Sequence, residues 1–162
     1  MPNIDQIAHP PRTSPLTVPQ AGVICLIEGS VVLVRCTRTG RWGLPKGTIE
    51  QGEGSRETAA RESFEEAGVM GAISETPIGH FSYEKEGIHK RYQVAVHLIE
   101  DGQLGNDYPE KEIRERGTFN LRDAIAVVAQ PEVREMLSAL RHESSCPGES
   151  RPSLQFADVA AR

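Results

Sequence analysis

At 162 residues, with 38% apolar and 25% charged side chains, the chain has the make-up of one globular domain with short tails, large enough to bury a core without disulfides. A net charge of −5 argues against a general nucleic-acid or membrane-surface binder, so any polyanion site must be a local basic patch on an acidic protein. Cys25, Cys36 and Cys146 form no C-x-x-C pair and read as free thiols of a reducing compartment, neither a disulfide framework nor a zinc site. The N-terminus does not have the pattern of a signal peptide, and no apolar run approaches the roughly 20 residues of a membrane span. The expectation is a cytoplasmic protein.

Residues 1–18 are proline-rich and poor in apolar side chains, and read as a flexible N-terminal arm. A folded domain is expected over 19–142, with order setting in near Gln20. AGVICLIEG and SVVLVRC are two β-rich runs that turn at Glu28-Gly29-Ser30. TRTGRWGLPKG reads as a loop. From Gly54 to Ala67 the residues Ala60, Ser63, Phe64 and Ala67 recur at i, i+3, i+4 and i+7, which predicts a helix buried on that face. Gly68 is placed to end it. Further extended segments follow, with turn chemistry at Glu86-Gly87 and Asp101-Gly102, and YQVAVHLI alternates as a half-buried strand does. LRDAIAVV and PEVREMLSALRH read as one or two closing helices, with Pro131 at a favourable first position. Residues 143–162 form a Ser/Pro/Gly-rich C-terminal tail. Strands, helix, strands and helix in that order suit an α/β fold, a mixed sheet with helices on both faces.

The helix after Gly47 is dense in glutamate. Successive helical residues turn by about 100°, so Glu62 and Glu66 lie about 40° apart and Glu65 about 60° to the other side. Three carboxylates on one face repel unless a cation or water separates them. Arg61 neutralises part of the set. The density alone suits either a solvated acidic helix or a site for Mg²⁺, which takes hard oxygen ligands and keeps waters for a phosphate.

The intervals are more informative. From Gly47, five residues lead to Glu53 and seven more to Arg61-Glu62, followed by Glu65-Glu66, Gly68 and Val69. This resembles the Nudix box, G-x5-E-x7-R-E-U-x-E-E-x-G-U, with Ser63 standing where U is usually a bulky aliphatic. The departure bears on packing, through a thinner local core or a hydroxyl bonded back to the helix backbone. The resemblance implies an α-β-α sandwich with a mixed β-sheet between helices, and a hydrolase that breaks a P–O–P bond with Mg²⁺ or Mn²⁺. It implies that Glu62, Glu65 and Glu66 hold the metal with the carbonyl of Gly47, that these glutamates and Glu53 form the catalytic set, and that Arg61 and Gly68 are structural. The base that deprotonates water varies in position within the family; Glu110, Glu112 and Glu115 are candidates here.

Two basic sets flank the box region: Arg35, Arg38, Arg41 and Lys46 before it, and Lys85, His89, Lys90 and Arg91 after it. Arg35, Arg38, Arg41, Lys46, Lys90 and Arg91 are the candidate substrate contacts, the alternative being a solubilising surface. RTGRWGLPKGTIEQGE with AARESFEEAGVMG resembles the diphosphoinositol polyphosphate and diadenosine polyphosphate hydrolase branch. The dinucleoside group has an adenine-stacking tyrosine in the window that here holds Lys85, Glu86 and Gly87, flanked by Tyr83 and Tyr92. The ADP-ribose branch has a proline where this chain has Glu84. Trp42 reads as a base-stacking ring or a core plug; His80, His97, Phe81, Tyr83 and Tyr92 read as packing residues. The expected partner is therefore a polyphosphorylated small molecule, with no bulk nucleic acid or membrane, and the chain is a monomer or homodimer. Two further activities stay open: a nucleotide-pool cleaner or RNA 5′-end pyrophosphohydrolase, and a non-enzymatic nucleotide-sensing module.

Overall fold

A computed structural model describes residues 14–144. The long first strand β1 (Leu16–Ile27) turns through Glu28 (φ 49°) and Gly29 (φ 76°) into β2 (Ser30–Arg35), the two-residue hairpin that the Glu28-Gly29-Ser30 cluster predicts. β1 starts four residues before Gln20, because Leu16, Thr17 and Val18 pair with Lys90, Arg91 and Tyr92 of β7 (Lys90–Ile99). These three therefore belong to the sheet and not to the arm; residues 1–13 of the arm and all but the first two residues of the tail, Cys146 included, lie outside the described residues.

The segment read as a loop carries two short strands, β3 (Trp42–Gly43) and β4 (Lys46–Thr48). β3 pairs with the end of β2, and β4 pairs with Gln20, Ala21 and Gly22 of β1, so the segment fills the fork where β1 and β2 diverge. α1 (Ser55–Ala67) follows, then β5 (Val69–Met70), β6 (Gly79–Glu84), β7, β8 (Gln103–Leu104) and β9 (Arg116–Phe119). The order β3-β2-β1-β7-β6 forms the main sheet, with β9 on β2 and the small pair β5-β8 apart from it. β1 and β7 run parallel and the other pairings are antiparallel, so the sheet is mixed. Two helices close the fold, α2 (Leu121–Val127) and α3 (Pro131–Ser144). Asn120 caps α2 by accepting from the Asp123 N–H at 2.9 Å.

Alternation along β1 and β2 sends side chains to two cores. Ala21, Val23, Cys25, Val32 and Val34 face α1 through Ala59 and Ala67, while Ile24, Val31 and Leu33 meet Ala124, Val128, Val133 and Leu137 of the α2–α3 side. This is the α-β-α sandwich expected. Burial pushes the Cys25 thiol up to about 12, which makes it an inert packing residue. Among the described residues no helix is long and apolar enough to cross a membrane.

The buried face of α1 differs from the expected one. Ala60 and Phe64 are exposed, and the residues turned to the sheet are Thr58, Ala59, Glu62, Ser63, Glu66 and Ala67. Periodicity weighs apolarity, and here two carboxylates occupy positions on the inward face, so the hydrophobic signal points about one residue away. Ser63 is 1% exposed and its hydroxyl lies 2.9 Å from the Ala60 carbonyl and 3.1 Å from that of Val69, so it bonds back to backbone where an aliphatic would pack. Of the residues read as packing groups, His80 is exposed at the surface of β6. His97 is fully buried, between Ser55 Oγ at 2.9 Å and the Ser74 carbonyl at 2.9 Å, and burial pushes its pKa down. A neutral ring donating from Nδ1 to Ser74 and accepting at Nε2 from Ser55 satisfies both contacts.

Candidate active site

α1 begins after Gly54, whose N–H donates to the Glu57 carboxylate at 3.0 Å, and ends at Gly68 in the left-handed conformation (φ 62°), whose N–H donates to the Phe64 carbonyl. Between these ends the helix presents its glutamates to β4. Glu62 is 8% exposed and lies against the Cα of Gly47 so closely that a Cβ there would overlap its Oε1. Glu66 is 7% exposed and accepts from the Lys46 N–H at 3.1 Å. Backbone and carboxylates thus meet at Lys46-Gly47.

Arg61 ties the network together. Its Nε and Nη2 reach the two oxygens of Glu53 at 2.9 and 3.0 Å, Nη2 also donates to the Thr48 carbonyl at 3.2 Å, and Nη1 lies 2.7 Å from Glu62 and 3.3 Å from Glu65. The first target of Arg61 is thus Glu53, which it grips with two hydrogen bonds. The Arg61 hydrogen bonds, with one from Thr58 at 2.8 Å, hold the Glu53 carboxyl down to about 2. Burial acts the opposite way on the inward glutamates. It raises Glu62 against the pull of Arg61, and raises Glu66 to about 7 against Arg114 and the Lys46 N–H.

Sequence reasoning missed Arg114, whose Nη2 is 3.0 Å from Glu66 and whose Nε is 2.7 Å from Glu110. No spacing links it to the box, and only the fold brings it there. Of the three loop glutamates, Glu110 stands beside the cluster, with its N–H donating to the Glu65 carbonyl at 3.0 Å. Glu115 pairs with Arg35, and Glu112 lines a separate depression with Phe64 and Tyr108.

Among the described residues no three carboxylate, imidazole or thiol side chains converge into a formed metal cluster, because Arg61 lies on Glu62 and Glu65, and Arg114 on Glu66. The donor set nevertheless fits a hard dication. Buried carboxylates packed against Lys46-Gly47, where no Cβ would fit, are hard oxygen donors, and two arginines currently balance their charge.

The candidate substrate contacts divide. Arg38 and Arg41 line a cleft of about 690 Å³ together with Lys85 and His89, so the two basic sets do meet across the sheet edge. Lys46 is half-buried with its Nζ 4.7 Å above the Tyr83 ring, and it does not line that cleft. Arg35, Lys90 and Arg91 do not line the cleft. Arg35 is engaged with Glu115 at 2.9 Å and Arg91 with Glu84 at 3.1 Å, and Lys90 is exposed at the start of β7. Tyr83 and Tyr92 stack on each other with centroids 4.9 Å apart, and Trp42 packs edge-on against Phe119 at 5.0 Å, a plug at the sheet end.

The family model described as "NUDIX domain" matches residues 16–140. The chain belongs to the Nudix family. It is 32% identical over 116 residues to Nudix hydrolase 21, chloroplastic, of Arabidopsis thaliana, a match covering 69% of this chain and 57% of that protein. It is 33% identical over 104 residues to diphosphoinositol polyphosphate phosphohydrolase 3-beta of Bos taurus, covering 62% of this chain and 61% of the relative. The chain thus spans little more than half the length of these Nudix relatives. The Ap4A hydrolase of C. elegans in a binary complex superposes with a TM-score of 0.57 at 23% identity, over 79% of this chain and 98% of that one, which shows the shared Nudix fold.

Proposed function

We propose that the protein is a Mg²⁺-dependent pyrophosphohydrolase that cleaves a P–O–P bond of a polyphosphorylated small molecule, either a dinucleoside polyphosphate or a diphosphoinositol polyphosphate. The observation that carries this reading is the packing of buried Glu62 against Gly47, with buried Glu66 bonded to the adjoining Lys46 N–H, which gathers two carboxylates at one stretch of backbone. Bound there, Mg²⁺ or Mn²⁺ would neutralise phosphate charge and lower the pKa of a water for in-line attack. Glu62, Glu65 and Glu66, with the Gly47 carbonyl, would hold it.

The chain's own residues supply the rest. Arg61 fixes the rotamers of Glu53, Glu62 and Glu65, so the carboxylates stand preorganised. Glu110, which shares Arg114 with Glu66, would be the loop carboxylate to take a proton from water, a role typically worth ~10²–10⁴ in rate. Arg38, Arg41, Lys85 and His89 would bind phosphates away from the broken bond. Among the described residues the lining holds Arg38, Arg41 and Lys85 against Glu84 and Glu86 and no aromatic ring, which suits a phosphorylated distal group more than a stacked base. The free thiols Cys25 and Cys36 suit a reducing, cytoplasmic setting.

The test is phosphate or nucleotide release with Mg²⁺ from a panel of diphosphoinositol, dinucleoside, sugar-nucleotide, oxidised-nucleotide and 5′-triphosphorylated RNA substrates. Turnover of the first or second class is expected. Preference for the RNA or oxidised nucleotides replaces the substrate assignment, and silence across the panel favours a nucleotide-sensing module.

A further inference from the structure

Glu66 is served from two sides. Its Oε2 accepts the backbone N–H of Lys46 at 3.1 Å, and its Oε1 is held by Arg114 Nη2 at 3.0 Å. Arg114 has a second anchor that does not involve Glu66. Its Nε lies 2.7 Å from Glu110, its own N–H donates to the Glu110 carbonyl at 2.9 Å, and Glu110 is fastened through its N–H to the Glu65 carbonyl. The guanidinium therefore keeps a carboxylate partner when Glu66 lets go, so release leaves no buried charge unpaired. With Oε2 taken by backbone, Oε1 is the oxygen that a dication would claim, and two cations on one oxygen repel.

We infer that Arg114 is a resident counter-cation of Glu66 that a divalent ion must displace, and so sets the metal concentration at which the site fills. This rests on the reading of the glutamate cluster as a dication site. Arg114 is a positioning residue here: it acts through Glu66 and remains docked on Glu110.

The experiment is Mn²⁺ binding to the full chain, followed by electron paramagnetic resonance without substrate, in 0.5 M KCl to screen the general field of surface charges. Wild-type protein, Arg114→Met, Glu66→Gln and the double variant form a cycle. The expected result is about fivefold tighter Mn²⁺ binding in Arg114→Met, roughly the weight of one partly buried ion pair, with the gain lost in the Glu66→Gln background. Arg114→Lys, which cannot hold two carboxylates in one plane, is expected to bind about twofold tighter, and it carries the test if Arg114→Met does not fold. Unchanged or weaker binding in these Arg114 variants overturns the inference, as does a gain that survives Glu66→Gln. Failure of wild-type protein to bind Mn²⁺ at all overturns the dication site itself, a separate outcome.

Discussion

Gly47 and Glu62 are in such close contact that the Cα of the first leaves no space for a Cβ beside the carboxylate of the second. They lie fifteen positions apart in the chain, yet the glycine is a steric condition for where the glutamate can stand. Gly47→Ala is expected to move Glu62 off its rotamer, lowering stability by about 1–3 kcal/mol and hydrolysis by more than that loss explains. Thermal denaturation and a turnover assay on the same preparation check this; an alanine variant with wild-type turnover would remove the close approach from the site.

Glu65 and Glu66 share a proposed role in very different surroundings, since the Glu66 side chain is 9% exposed and that of Glu65 38%. Glu65→Gln and Glu66→Gln are both expected to abolish metal-dependent hydrolysis with the fold intact. Circular dichroism and the release assay separate the two effects. Turnover near the wild-type level in either variant would exclude that residue as a ligand.

The Arg61–Glu53 pair gives the fold an acid limb. Glu53 has its pKa lowered to about 2 by Arg61 and Thr58, so it contributes stability in full above its ordinary range near 4.5, and this is lost as pH falls through about 2. Chemical denaturation between pH 6 and pH 2.5 should show a steeper acid loss in the wild-type protein than in Glu53→Gln. Equal slopes would mean that the pair contributes nothing to folding. Arg61→Ala leaves Glu53 and Glu62 without their partner and is expected to lower the midpoint of thermal denaturation.

The cleft of Arg38, Arg41, Lys85 and His89 can be tested apart from the chemistry. Arg38→Ala and Lys85→Ala are each expected to raise KM for a highly phosphorylated substrate about tenfold, the weight of one charge-assisted hydrogen bond, with kcat little changed. Initial-rate kinetics decide, and a fall in kcat at constant KM would place these residues nearer the breaking bond.

Much of this was legible from residue spacing. The box intervals put Arg61, Glu62, Glu65 and Glu66 on one stretch because they count turns of a single helix, a local geometry, while Glu53 stands before that helix and joins them through Arg61. Glu28-Gly29 declared its hairpin, and Pro131 its helix, for the same reason. What stayed hidden depends on distant partners. Trp42-Gly43 and Lys46–Thr48 are too short to show a strand pattern and become strands only against β2 and β1. The inward face of α1 was misplaced because glutamates stand where a core residue would. Arg114 reaches Glu66 from 48 positions downstream, which no interval in the box anticipates.

The parallel pairing of β1 with β7 has a consequence for how the molecule comes into being. Leu16 to Cys25 find their neighbours at Lys90 to Ile99, across a gap of 74 positions. A ribosome must deliver more than half the chain before the central strand of the sheet is flanked on both sides. Until then the β1–β2 hairpin stands as a valine-rich ribbon with one long margin uncovered, so folding should be slow for a domain of this size and the nascent chain a client for chaperones.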